Sequence, residues 1–296
     1  MIADVRFVGE RNVSRQRPAG RPASFVAAPR AFVVAALWAL SWPLAAQWVD
    51  YPTRGVPRTA DGSPDLAAPA PRTGDGKPDL SGMWFSAELL PECSAEDCIP
   101  QMNLPVDQTN IGRSLPGGLP YQPWAAALVA ERTANGAKDD PHAHCFPPNF
   151  PRAFSFPQYI KILWTPGELV ILHEFNATYR QIFLDGRPLP VDPLPSWNGY
   201  SSGHWDGDTL VVESSGFRDD LWLDLSGSPL SDAARVTERF RRVNYGTLEI
   251  DVTVDDPKAY TRPWTVTLKQ AIVLDTELIE EICLENEEDT RLFDVE

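Results

Sequence analysis

From residue 159 onward, apolar and polar residues alternate in short runs that turn residues separate. In the run TLEIDVTV, every second residue from Leu248 to Val254 is aliphatic, and the residues between them are Glu, Asp or Thr. Such alternation predicts a strand with one face in a core and the other in water. A strand is also predicted around Trp84. The region from residue 159 onward holds nine predicted strands: YIKILW, LVILHEF, TYRQIFL, GYSSGHW, TLVVESS, RVTERFR, TLEIDVTV, WTVTLKQAIVL and LIEEICL.

Short turns connect most of these predicted strands. Turns this short join antiparallel neighbours, and no helical pattern in the region could carry parallel crossovers. Because closure removes the exposed edges of a sheet, we expect a mainly β fold, an antiparallel up-and-down barrel of about eight to ten strands. The turns are Pro166-Gly167, Asp185-Gly186, Asp206-Gly207, Asn244-Tyr245-Gly246 and Asp275-Thr276.

The chain divides into three predicted parts. Residues 1–46 are a signal peptide, residues 47–78 a linker rich in proline and glycine, and residues 79–296 a single barrel domain. The linker holds a duplication, PRTADGSPDL and then PRTGDGKPDL fourteen residues later, whose Asp-Gly and Pro residues favour turns. Within the barrel domain, residues 87–157 are an irregular insertion with one helix predicted around residues 121–136.

The signal peptide is predicted from an apolar run of ten residues, AFVVAALWAL, that follows Arg30. The run is far shorter than the roughly 20 residues that span a bilayer, and no later segment is long enough, so the mature chain is not expected to insert into a membrane. The n-region of 30 residues is unusually long, which suggests a start codon assigned too early. We expect cleavage after Ala46, a mature chain that begins near Gln47, and a periplasmic or secreted location.

Charge excludes one class of partner. Residues 1–46 carry six arginines and two acids, so the exported part has 20 basic and 39 acidic residues, a net charge of −19. Binding to phosphate backbones depends on cationic contacts that release counterions. We therefore expect no nucleic-acid partner.

The four cysteines are interpreted as disulfides because an oxidising compartment favours them. Cys93 and Cys98 can close a local loop, and Cys145 and Cys283 would then join the middle of the chain to its last predicted strand. Three connectivities are possible for four cysteines, and we prefer this one.

Several motifs together resemble a known family. They are PDLSGMW, DGRPLP, WNGYSSGHWDGDTLVVESSGF, VTERFRR and VDDPKAYTRPWTV. From about Pro71 to the C-terminus, the chain resembles a family of exported bacterial proteins, common in acidobacterial genomes, that has no settled biochemical function. The Gly-x-Trp opening before a meander is also similar to lipocalins and other calycin barrels. The resemblance implies export and a barrel. It also implies histidines where this chain has Leu230 and Arg235, so any chemistry of those histidines is not expected here.

Carboxylates are the main candidates for acid-base chemistry. Glu238 shares a strand face with Val236 and Phe240, and Glu213 shares one with Val211, so either is a candidate for a partly apolar interior. Burial there would raise the pKa of a carboxyl group toward acid-base usefulness, and two such groups would suit a glycosidase-like mechanism. The structural alternatives are an ion pair between Glu238 and Arg180, or a register in which both glutamates face water.

Other candidates for catalysis are His204, Tyr200 and Asp224. His204 is one of four histidines in the chain and precedes Asp206-Gly207, the two central residues of a predicted hairpin turn. We therefore expect it at the barrel rim, exposed to water and unsuited to be the only catalyst. Tyr200 lies on the same strand face as His204.

Aromatic residues cluster around this hairpin and are candidates for a ligand site at the barrel mouth, although core packing explains most aromatics in a barrel. The candidate ligand-binding residues are Trp197, Asn198, Trp205, Trp222, Arg180 and Arg187.

No metal site or cofactor is predicted. His142 and His144 lie close together in the irregular region, where two such residues plus a third ligand could hold zinc, but capping or exposed histidines are the preferred interpretation. Gly-x-Ser-x-Gly, phosphate-loop and dinucleotide motifs are absent from the sequence.

We therefore expect an exported barrel that binds a small-molecule or glycan ligand at its mouth. The alternative is an extracytoplasmic lyase, hydrolase or isomerase that uses Glu238, His204, Asp224 or Tyr200. A third possibility is a scaffold that recognises another protein through its acidic surface.

Overall fold

Eight of the nine alternating runs and the Trp84 strand form one closed barrel in the computed structural model, which describes residues 51–87, 98–99, 104–105 and 110–286. The barrel expected from the sequence is confirmed. Its strands are β1 (Gly82–Ser86), β4 (Ile160–Thr165), β5 (Glu168–His173), β6 (Tyr179–Phe183), β7 (Tyr200–Asp206), β8 (Thr209–Ser215), β11 (Arg235–Arg242), β12 (Thr247–Asp255) and β13 (Trp264–Val273). Two short hairpins lie outside it, β2 (Cys98–Ile99) with β3 (Leu104–Pro105), and β9 (Leu221–Trp222) with β10 (Pro229–Leu230).

The barrel closes through β1, which pairs antiparallel with both β13 and β4. Around the barrel the order is β1-β13-β12-β11-β8-β7-β6-β5-β4. The turns of β7–β8 and β11–β12 lie at the same end, because β8 and β11 pair antiparallel with Leu210 opposite Phe240. We call this end the hairpin end.

One strand pair corrects the all-antiparallel expectation. β6 and β7 are parallel and pair at only two positions, Ile182 with Ser201 and Phe183 with Ser202. Residues 184–199 join them without a helix or a strand, and their prolines take no part in a ladder. This extended connection returns the chain to the end where β6 began, so β7 runs in the same direction as β6.

The prediction of a last strand at LIEEICL is wrong. Residues 278–282 form no strand, and a short helix, α2 (Cys283–Asn286), ends the described chain. Because β1 already occupies the edge of β13, no barrel edge is left for a further strand. Among the described residues, one β-bridge, between Phe175 and Glu281, joins residues 278–282 to the fold. The predicted Cys145–Cys283 disulfide is present, whereas the predicted Cys93–Cys98 pairing lies outside the described side chains.

Large side chains fill the barrel at its hairpin end. Arg242 lies over the Trp84 ring, 4.9 Å from its centroid, and donates hydrogen bonds to the backbone carbonyls of Asp79, Ser81 and Tyr245. A guanidinium that binds carbonyls and stacks on an indole closes this end of the core. Fully buried residues of this core are Leu80, Trp84, Ile162, Leu169, Leu210, Phe240, Leu248 and Ile250.

The duplicated segment lies along the hairpin end. The two copies have the same turn. In each, the threonine, Thr59 or Thr73, donates its backbone N–H to a carbonyl of its own loop, accepts from the N–H of the loop glycine, and contacts the loop aspartate through its hydroxyl. Each copy contacts a different barrel turn, and we call residues 53–81 the N-terminal strap. Its contacts are Tyr245 N to the Ala68 carbonyl, Gly246 N to the Leu66 carbonyl, the Arg72–Asp208 ion pair, Lys77 Nζ to the Gly207 carbonyl, and Thr53 with Asp275.

The irregular region covers the opposite end of the barrel. It contains the predicted helix, α1 (Pro123–Ala134), and two single 3-10 turns, Pro141–His144 and Arg152–Ser155. Phe154 inserts into the barrel, where its ring lies 5.8 Å from that of Phe240 and its carbonyl accepts a hydrogen bond from Gln270 Nε2. The insertion therefore supplies part of the core.

Candidate functional site

A cleft opens in the barrel wall where β6 and β7 separate. Their two paired positions lie at the end of β6, so the first residues of β6 and the chain before β7 diverge. The resulting cleft, which we call the β6–β7 cleft, has a volume of about 580 Å³. Side chains and backbone from Asn176–Gln181, Ser196–Ser201, Phe183 and Pro147 line it.

Aromatic rings in stacked pairs form much of this cleft. Trp197 stacks on Phe146, with centroids 5.5 Å apart, and Tyr200 stacks on Phe183 at 5.1 Å. Tyr179 projects into solvent, with 62% of its surface exposed. Rings that are held by neighbours yet partly exposed lose little conformational entropy when a ligand packs on them.

The arginines beside the cleft are already neutralised. Arg187 lies over Phe183 and pairs with Asp185, and Arg218 lies over Trp197 and pairs with Asp220. These carboxylates raise the pKa of both guanidinium groups through hydrogen bonds. Arg187 and Arg218 are therefore each neutralised by a neighbouring aspartate, and neither adds a net positive charge to the edge of the cleft.

The floor of the cleft is a buried polar network inside the barrel. Arg180 Nη1 donates to Glu238 Oε1 at 3.0 Å, and Nη2 contacts Glu238 Oε2 and donates to Ser214 Oγ at 2.9 Å. Arg180 Nε donates to Ser201 Oγ at 3.1 Å, and the two serine hydroxyls bond to each other. Glu238 is fully buried. Phe150 covers the guanidinium, 5.2 Å from its ring centroid.

Two asparagines fix the walls of the cleft. Asn198 Nδ2 donates to the Tyr179 carbonyl, and Asn198 Oδ1 accepts from the Phe150 backbone N–H. Asn176 has a positive φ of 52°, which asparagine tolerates better than most residues. Its amide donates to the Cys145 carbonyl and accepts from the Cys283 backbone N–H, so the disulfide and the β5–β6 turn support one wall.

Two histidines lie next to this turn, His173 buried and His142 half-buried. His173 Nδ1 accepts from the Phe175 backbone N–H, and the His142 ring lies 4.1 Å from the Phe175 ring. Burial lowers the pKa of His142 to about 3, helped by the charge of Arg152, and lowers the pKa of His173 to about 4. Both are neutral at neutral pH. His144 Nε2 bonds to the Lys138 carbonyl. Within the described part of the chain, no three histidine, cysteine or acidic side chains come close enough to hold a metal.

The predicted catalytic residues do not converge. Glu238 faces the barrel interior and pairs with Arg180, which is one of the structural alternatives considered from the sequence. Glu213 is exposed, so the expectation that it could face the interior was wrong. His204 is exposed two residues before the end of the β7–β8 ladder, at the rim position expected. Asp224 is buried below β9 and accepts three hydrogen bonds, from Ile111 N, Ser228 N and Ser228 Oγ; burial raises its pKa.

The predicted ligand-binding residues divide into two groups. Trp197, Asn198 and Arg180 line the β6–β7 cleft together with Tyr200, and Arg187 lies at its edge, 3.4 Å from the Tyr200 hydroxyl. Two tryptophans do not belong to it. Trp205 stacks on Trp164 under Lys77, and Trp222 is buried beneath Arg132. Both indoles are occupied by packing.

Sequence reasoning missed the contribution of Asn176, Tyr179, Gln181 and Phe146. Three of these flank or begin β6, and they entered the cleft only because β6 and β7 pair in parallel. One signal was available, since Asn176-Ala177 between two strands indicates a turn that tolerates positive φ.

The chain matches no protein-family model and no curated protein. Among the described helices, none is long and apolar enough to cross a membrane.

Proposed function

We propose that this protein is an exported binding protein whose β6–β7 cleft takes an uncharged glycan or a similar small polar ring. The observation that carries the proposal is the combination of partly exposed aromatic rings with amide and hydroxyl groups around one cleft of about 580 Å³. A sugar ring offers an apolar face that packs on aromatic rings and hydroxyls that bond to amides.

The charge distribution favours a neutral ligand. Arg180, the arginine that lines the cleft, is paired with Glu238, and those at its edge are paired with Asp185 and Asp220. The exported part has a net charge of −19, so a strongly acidic ligand would meet repulsion without a compensating cation.

Export rests on two observations. The apolar run near the N-terminus suits a signal peptide, and the Cys145–Cys283 disulfide suits an oxidising compartment such as the periplasm or the exterior. A glycan ligand is common at the cell surface, so location and ligand class agree.

The enzymatic alternative has less support. A lyase, hydrolase or isomerase would need a free acid or base at the ligand, and Glu238 is held by Arg180 below the cleft floor. Tyr200 is the one proposed catalytic residue that lines the cleft. We therefore assign binding without chemical change.

The test is an array of neutral and acidic oligosaccharides probed with the mature protein. Neutral glycans should give saturable binding and be recovered unchanged, whereas acidic ones should not bind. Tyr179→Ala should weaken affinity about fivefold, since one aromatic contact contributes on the order of 1 kcal/mol. Tyr51→Ala, an exposed tyrosine outside this cleft, is the matched control. Recovery of a cleaved or rearranged glycan would show that the enzymatic alternative is correct.

A further inference from the structure

A second cleft lies at the hairpin end, beneath the N-terminal strap. It has a volume of about 700 Å³ and lies between Tyr51–Gly55, the start of β1, the end of β13 and Arg242. The β6–β7 cleft lies toward the other end of the barrel, between different strands. The two sites share no lining residue.

The strap cleft, as we call it, contains two arginines without a carboxylate partner. Arg54 is exposed, and its side chain makes no hydrogen bond or ion pair with the residues that the structure describes. Arg242 is almost fully buried, and its three hydrogen-bond acceptors are backbone carbonyls of Asp79, Ser81 and Tyr245. Carbonyls satisfy donors without cancelling the positive charge.

The acids of this cleft act on its other charged and polar groups. Glu277 pairs with Lys161, and the Oδ1 atom of Asp79 accepts from Trp164 Nε1 and from the Ser81 backbone N–H. Burial lowers the pKa of the Arg242 guanidinium, nearby Asp79 acts to raise it, and Asp275 accepts from the Thr53 backbone N–H beside the cleft. Exposed Arg54 is therefore the cation of this lining that an anion from solution can reach.

Apolar surface completes the site. Tyr51, Met83, Tyr245 and Ile272 line the same cleft. Apolar walls with a few charged groups are typical of sites for small amphiphiles.

We propose that the strap cleft binds an amphiphilic carboxylate, a small molecule with one anionic group on an apolar or aromatic body. Arg54 contacts the carboxylate at the entrance, Arg242 supplies a fixed positive charge behind it, and the apolar body packs against Tyr51 and Ile272. A carboxylate is favoured over a bulky polyanion because Asp79 and Glu277 lie in the same lining.

The experiment is equilibrium dialysis of the mature protein against three naphthalene probes of the same size: naphthoate, naphthamide and naphthylmethylammonium. Naphthoate should bind, its affinity should fall as salt rises, and the neutral amide should bind at least about fivefold more weakly. Equal binding of all three probes would show that only apolar contact operates and would overturn the proposal. Tighter binding of the ammonium probe would also overturn it.

Single substitutions locate the site. Arg54→Gln should weaken naphthoate about fivefold without changing the melting temperature, because Arg54 makes no contact that stabilises the fold. Arg58→Gln is the matched control, since Arg58 is an exposed arginine of the same strap whose guanidinium, within the described part of the chain, bonds to the Gly62 carbonyl. Tyr179→Ala, in the β6–β7 cleft, should leave naphthoate affinity unchanged. Equal effects of Arg54→Gln and Arg58→Gln would assign the binding to general charge and contradict the site.

Discussion

The buried pair in the barrel makes a sharp prediction for Glu238→Gln. Glutamine keeps the shape of the side chain but removes the negative charge that faces Arg180, which has 3% of its surface exposed. A guanidinium left without its carboxylate inside a protein costs about 3–5 kcal/mol. The two serines that also bind Arg180 accept hydrogen bonds but carry no charge, so they recover only part of that cost.

A double variant separates charge from packing. In Arg180→Met with Glu238→Leu, both charges leave together, and apolar side chains of similar length fill the space. Ser201 and Ser214 keep their mutual hydrogen bond of 2.8 Å. Because replacing a whole buried pair is often neutral, the double variant should lie within about 2 kcal/mol of wild type.

Urea unfolding followed by tryptophan fluorescence measures each free energy of unfolding, with unchanged m-values as the test of two-state behaviour. Glu213→Gln, a change at an exposed position of β8, should stay within about 0.5 kcal/mol. If Glu238→Gln also loses less than about 1 kcal/mol, the ion pair does not hold Glu238 as described, and its assignment as a structural residue is wrong.

Two further predictions concern the hairpin turn and acid stability. His204→Ala should melt within a few degrees of wild type, whereas Gly207→Val should melt lower because Gly207 has a φ of +60°; the opposite order would contradict the rim position. For the two histidines beside the β5–β6 turn, the folded pKa values of about 3 for His142 and about 4 for His173 lie below about 6.5, the value expected in the unfolded chain. The unfolded chain alone therefore takes up protons as pH falls below that value, and each histidine should lower the free energy of unfolding by about 2 kcal/mol between pH 7 and pH 5. Urea midpoints that are equal at the two pH values would refute this pH dependence. His173→Asn should remove the part of the pH dependence that His173 contributes.

The strands were predictable from the sequence because one face of each is buried and the other wet. The alternation of apolar and polar residues predicted the position of Glu238 correctly. Because Glu238 shares a strand face with Val236 and Phe240, it was a candidate for the interior, with Arg180 as a possible partner. The same reasoning failed for Glu213 because Leu210, Val211 and Val212 are all buried. Where both faces of a strand are covered, the period of two disappears and the inward face cannot be identified.

The cleft could not be predicted, because it depends on a long-range feature. The connection of residues 184–199 has no periodic pattern, so the sequence gives no sign that β7 runs parallel to β6. Without that pair, Tyr179 and Trp197 lie 18 positions apart in the chain with no reason to meet. Turn chemistry and alternation are local signals, whereas this cleft is a consequence of topology.

The most direct test of the central claim is a nuclear magnetic resonance titration of the mature protein with a neutral oligosaccharide selected on the array. Each tryptophan gives one indole N–H signal, and the absence of one signal in Trp197→Phe identifies the reporter in the β6–β7 cleft. We predict that the Trp197 signal shifts in a saturable way while the signals of buried Trp84 and Trp264 stay in place. Saturable binding that leaves Trp197 unchanged, or that shifts only tryptophans outside the cleft, would contradict the account.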